Sequence, residues 1–255
     1  MFSIFIALIV AIVPALLVFL IVYKMDTIEK ESPKLLFKLF LGGAVAYGGA
    51  FLLGGLGRAF LQSVYTGKNV ILFHLLDSFV LCALFEQVLL LCIIALLTWK
   101  DDEFNYIFDG VVYAVTASVG LSITENLIYI FRNASTHKLS ELLLTLAGHT
   151  ICAIYMGYFY SMSKNDKGAG EKKLSKSHMF EAAFIPVVIY GIYIFTLNIQ
   201  IIFFYVVFII YAIICGSITV HKIIWLSKND TILTGLEDVV LSEAEAELAK
   251  NAKRW

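Results

Sequence analysis

Seven stretches of this chain stay apolar for roughly the 20 residues that a bilayer core demands of a helix. They are 2–23, 35–56, 71–98, 106–131, 141–162, 179–197 and 200–220. Hydrocarbon offers a backbone no hydrogen-bond partners, so segments of this kind satisfy themselves as helices. The fold class read from the sequence is therefore all-α, a polytopic membrane protein with about seven transmembrane helices. Composition agrees, since 60% of the 255 residues are hydrophobic and 15% are charged,. The first run lacks a basic flank and is longer than the apolar core of a signal peptide, so it is expected to remain as a span.

The third run is overlong, which predicts a tilt, a break near Asp77, or a start as an interfacial segment,. Asn198 and Gln200 divide the last two runs into a tight hairpin. Basic residues orient the whole. The odd-numbered connections and the tail hold 14 lysines and arginines, against Arg58, Lys68, Arg132 and Lys138 in the even-numbered ones. That asymmetry places the amino terminus outside and the carboxyl terminus in the cytoplasm. Residues 1–222 then form the helical membrane domain and 223–255 a cytoplasmic tail. In the tail, Ser242 followed by Glu245 has the spacing of a capping box and predicts a short amphipathic helix,. The lysine-rich stretch 163–178, with Gly168 and Gly170, is expected to be a solvated loop.

A net charge of −1 supplies no clustered basic footprint, so a nucleic-acid partner is not expected,. Cys82, Cys92, Cys152 and Cys215 lie in apolar runs without metal-ligand or disulfide spacing and read as packing residues,. The paired glycines Gly42, Gly43, Gly48, Gly49, Gly54 and Gly55 suit close helix contact in lipid, as do Ala114 and Ser118,.

Glu86, Glu125 and His149 stand deep inside apolar spans, where ionisable groups are expensive and usually serve transport or chemistry,. With a rise of 1.5 Å per residue, Glu125 lies about 9 Å, and His149 and Tyr190 about 12 Å, below the outer ends of their spans. Four helices can thus aim polar groups at one chamber in the outer half of the membrane. Tyr129, one turn from Glu125, and the adjacent Asn126 are expected to orient that carboxylate,. A glutamate that holds water against a carbonyl, with a histidine to share protons, is a workable hydrolytic set. The same carboxylates and imidazole are competent ligands for a divalent metal. Asp77 and Asp109, near span ends, read as hydrated or capping groups, and Glu181 as a dipole partner at the start of span six,. The chain has neither the HExxH of a zinc protease nor a GxSG-like serine motif,.

Several motifs occur in order: Phe85-Glu86-Gln87, Phe108-Asp109-Gly110-Val111-Val112-Tyr113, Thr124-Glu125-Asn126-Leu127-Ile128-Tyr129, Gly148-His149 and Met156-Gly157-Tyr158. This ordered set resembles the PrsW family of bacterial glutamic-type intramembrane proteases, relatives of the CAAX-processing and bacteriocin-processing membrane proteases. The resemblance implies a bacterial plasma-membrane endopeptidase that cleaves a single-span, membrane-tethered protein such as an anti-sigma factor near its extracytoplasmic side. It implies Glu86, Glu125 and His149 as catalytic residues, with Gln87, Asn126, Tyr129 and Tyr190 in support. No cofactor is required by that reading, and a divalent metal on Glu86, Glu125 and His149 is left open. The chain departs from the family pattern at Gln87, where a second glutamate is usual, at Leu90 in place of a lysine, and at Tyr190 in place of a histidine. Glutamine cannot titrate, whereas Tyr190 can still donate to an oxyanion. Two alternatives follow: a catalytically inactive relative that binds membrane proteins in the same groove, and a proton-coupled transporter.

Overall fold

The computed structural model describes residues 2–65, 67, 69–133, 138–199 and 202–236. Their helices are α1 (Phe2–Met25), α2 (Pro33–Val64), α3 (Val70–Leu76), α4 (Phe85–Thr98), α5 (Asp109–Arg132), α6 (Leu139–Gly168), α7 (Lys172–Asn198) and α8 (Ile202–Lys228). A π-helical stretch, Asp77–Leu84, joins α3 to α4, so the interruption expected near Asp77 is a change of helix type within one span. Seven of the resulting segments are long and apolar enough to cross a membrane. The protein is a multi-pass membrane protein.

The least apolar of the seven spans, α5, is the most enclosed, and the most apolar, α1, lies at the periphery. Lipid rewards hydrocarbon, whereas a helix rich in small and hydroxyl side chains gains by being surrounded with protein. Every residue of α5 from Asp109 to Ile123 is buried, with α1, α2, α4 and α6 packed around it. Thr116 and Thr124 return their hydroxyls to the carbonyls of Val112 and Gly120 at 2.7 and 2.8 Å, so these two polar groups are satisfied within the helix.

Backbone meets backbone where helices cross. A Cβ on Gly43 of α2 would lie 1.8 Å from the Ala117 carbonyl oxygen of α5, and one on Gly157 of α6 would lie 2.3 Å from that of Gly110. Gly48 and Gly55 face open space, so only part of the glycine pattern in α2 is used for packing against protein.

Helix ends depart from the apolar runs. α2 continues eight residues past 56, α7 begins at Lys172 instead of 179, and α6 runs to Gly168. The stretch 163–178 is accordingly two helix ends and a short turn at Gly170 (φ 80°), not a loop. Hydropathy marks where lipid stops, but backbone hydrogen bonding continues into water when side chains support it. Here Ser163 donates to the Ser175 carbonyl and Ser175 to that of Ser163, both at 2.8 Å, and Asp166 pairs with His178 at 2.5 Å. Glu181 consequently sits inside α7 rather than in its first turn, beyond the reach of the helix dipole, and accepts from Ser177,.

α8 extends to Lys228, past the expected domain boundary at 222, and the chain then folds back. Leu233 N donates to Asn105 O and Ile107 N to Thr231 O, which seats 231–236 against the α4–α5 connection. The helix expected around Ser242 and Glu245 lies outside the described residues. All four cysteines are unpaired; Cys152 is buried in the interior as expected, while Cys92 faces outward.

Candidate active site

Three helices deliver the three ionisable groups. Glu86 stands in the first turn of α4, directly after the π-helical stretch; Glu125 lies two turns from the end of α5; His149 lies about three turns into α6. His149 Nε2 is 2.7 Å from Glu125 Oε2 and 3.7 Å from Glu86 Oε2. One ligating atom from each residue falls within 4.8 Å of the others, so the groups that the sequence placed at similar depth share one point in space. His149 is 1% exposed and Glu86 8%. Ser118 of α5 donates to the His149 carbonyl at 3.1 Å and fixes α6 against α5 at this level.

The supporting residues divide. The Tyr190 hydroxyl of α7 is 2.9 Å from His149 Nε2, with the rings 4.4 Å apart, so it engages the imidazole. Asn126 Nδ2 donates to the Leu142 carbonyl at 3.2 Å. Tyr129 donates to the Glu141 carboxylate and accepts from Lys138 N at 3.2 Å. Neither therefore orients Glu125 as expected; both staple α5 to the start of α6, because those side chains reach the neighbouring helix first. Gln87 is fully buried, and neither of its amide atoms has a hydrogen-bond partner. It is also missing from the cavity wall.

Glu86 and Glu125 face a cavity of about 600 Å³ between α2, the π-helical stretch, α5, α6 and α7. Its upper wall carries Arg58, Arg132, Lys138 and Glu141. The apolar pattern assigned Arg58 to a connection; the continuation of α2 brings it inside, where its Nε donates to Asp77 Oδ1 at 2.7 Å. Asp77 is thus a buried ion-pair partner and not a hydrated end group, and Asp109, buried at the first position of α5, is neither hydrated nor a cap of that helix, since it accepts from Asn105 N and Tyr106 N ahead of it at 2.9 and 2.7 Å. A lone arginine ahead of a long apolar run was the available signal for the Arg58–Asp77 pair.

Residues 31–217 match the model of a family described as PrsW intramembrane metalloproteases. The chain belongs to the PrsW family. It is similar to Protease PrsW of Clostridioides difficile (strain 630), 28% identical over 217 residues, which cover 84% of this chain and 88% of that one. It is also similar to Protease PrsW of Oceanobacillus iheyensis (25% over 187 residues, 73% and 80% covered) and of Geobacillus kaustophilus (22% over 171, 67% and 70%). No solved structure matches the chain.

The family description names a metal, and the donor set fits one. Two carboxylates and an imidazole converge with only titratable protons to offset them, a costly arrangement at this depth unless a cation compensates,. Glu86 Oε2 is buried without a hydrogen-bond partner. His149 Nε2 faces both Glu125 and Tyr190, and one ring nitrogen cannot donate to one and accept from the other at once,. The Glu86 and Glu125 oxygens and His149 Nε2 are the kinds of atom suited to hold a divalent cation,.

Proposed function

We propose that this PrsW protein is an endopeptidase that cuts a membrane-tethered, single-span protein of the anti-sigma-factor kind near its extracytoplasmic end. The observation that carries the reading is the convergence of Glu86, Glu125 and His149, with both carboxylates lining a cavity at one end of the bundle and His149 held against Glu125 just behind its wall. That end bears the α5–α6 and α7–α8 connections, and the positive-inside rule directs it away from the cytoplasm.

Hydrolysis needs a base for water, a donor for the leaving nitrogen and a dry setting. Glu86 Oε2 has no hydrogen-bond partner and lies 3.7 Å from His149 Nε2; it accepts the proton as water adds to the scissile carbonyl carbon. Glu86 then passes that proton to the departing amine as the C–N bond breaks, while His149, held by Glu125 and Tyr190, positions the water,. Glu86, Glu125 and His149 are also the residues that would hold a divalent cation, whose contribution when bound is Lewis acidity, polarising a carbonyl and acidifying water. A carboxylate has two oxygens, so holding a cation and accepting a proton are compatible roles.

Cleavage of a single-span substrate reconstituted in vesicles tests the reading. The wild type should yield a shortened fragment, and E86Q, E125Q and H149A should not; equal cleavage by all four refutes it. A second reading, a substrate-binding protein without activity, draws on the buried and unpartnered Gln87 amide. Under that reading only Gln87→Glu would cut.

A further inference from the structure

Arg132 closes the last turn of α5, seven residues after Glu125. Seven residues are two turns, so the two side chains leave the same face of the helix, about 10 Å apart along its axis. Both line the cavity, Glu125 near its floor and Arg132 at its mouth.

The other charges at the mouth are engaged. Arg58 bonds Asp77, and Lys138 bonds Glu141 at 3.1 Å. Arg132 instead lies over the Phe51 ring of α2, 5.5 Å from its centroid, and no carboxylate among the described residues is within ion-pair distance. The ring holds the guanidinium against the cavity wall, since Phe51 is itself part of that wall,. The mouth therefore presents a positioned cation with no carboxylate partner among the described residues.

We propose that Arg132 is a specificity subsite for an acidic side chain of the substrate. The inference rests on the endopeptidase reading and sets a register within it. An extended chain advances about 3.3 Å per residue, so a peptide bond at the level of Glu125 places Arg132 opposite the third residue on the side leaving the membrane. Aspartate or glutamate there gains a guanidinium partner; the same residue nearer the scissile bond meets Glu86 and Glu125. A phospholipid phosphate is the competing occupant, but Arg132 is set in the wall shared with Glu125 rather than on the lipid-facing side of the bundle.

The test uses full-length protein in vesicles and a series of single-span substrates in which one glutamate is moved, residue by residue, along the segment outside the scissile bond. With E86Q as a non-cleaving trap, binding should peak at one register, about fivefold above the glutamine control. The peak should vanish in E86Q/R132Q, persist in E86Q/R132K, and appear for lysine in place of glutamate in E86Q/R132E. In the wild type, cleavage-site mapping should put that register at the third residue. A flat binding profile overturns the proposal. So does an equal loss in R132Q for every substrate, or an Arg132 effect that follows the anionic lipid content of the vesicles. A binding peak without cleavage would overturn the catalytic reading and leave the subsite standing.

Discussion

Arg58 Nε lies 2.7 Å from Asp77 Oδ1 and ties α2 to the first residue of the π-helical stretch that leads into Glu86. The partners differ in exposure, 41% of the arginine side chain against 11% of the aspartate. Removing the arginine strands a charge in a drier place than removing the aspartate does. R58A should cost on the order of 2 kcal/mol and D77A on the order of 1 kcal/mol, after allowance for screening at the arginine. Thermal unfolding in detergent compares them, and a larger loss in D77A contradicts the account.

Glu86, Glu125 and His149 should bind a divalent cation as a unit. Each of E86Q, E125Q and H149A should lower affinity by at least about 100-fold, because each deletes a ligand and not merely its support. Metal content of purified protein and calorimetric titration report this without reference to turnover. Retention of metal in all three variants would locate the ion elsewhere.

Gly43 and Gly48 separate packing from propensity within one helix. Alanine at 43 drives a Cβ into the Ala117 carbonyl, whereas alanine at 48 meets nothing within 4 Å. G43A should destabilise by about 1–3 kcal/mol, and G48A should be neutral or gain up to about 1 kcal/mol from helix propensity. Paired melting curves decide the matter.

At the opposite end of the bundle, Glu31 accepts from the Tyr113 hydroxyl at 2.8 Å. Burial, with the nearby Asp109 charge, pushes its pKa from 4.5 up to about 10. Across that interval the unfolded chain releases a proton that the folded chain keeps, so stability falls as pH rises from 4.5 towards 10,. E31Q should flatten this decline. Melting temperatures between pH 5 and pH 9 should drop less in the variant than in the wild type; parallel slopes would remove Glu31 from the explanation.

Depth was readable in the sequence because helix rise is constant: Glu125 and His149, counted from the ends of their apolar runs, fall at one level and do meet. Rotation was not. Asn126 and Tyr129 share a helix with Glu125, yet their hydrogen bonds go to α6, and no periodicity says which neighbour a side chain reaches first. Helix ends were hidden for another reason, since hydropathy records the lipid boundary and α2, α6 and α7 pass through it. Arg58 was lost to that error, and with it the pairing of Asp77.

The short helix α3 has no buried residue. About 10 Å of the segment ahead of Glu86 is thus left uncovered by the rest of the bundle, and in a bilayer the resting height of such a segment follows the membrane's thickness. The lipid bath is in that sense a structural partner of the first glutamate, acting through the π-helical stretch as a spacer whose length the membrane helps to set.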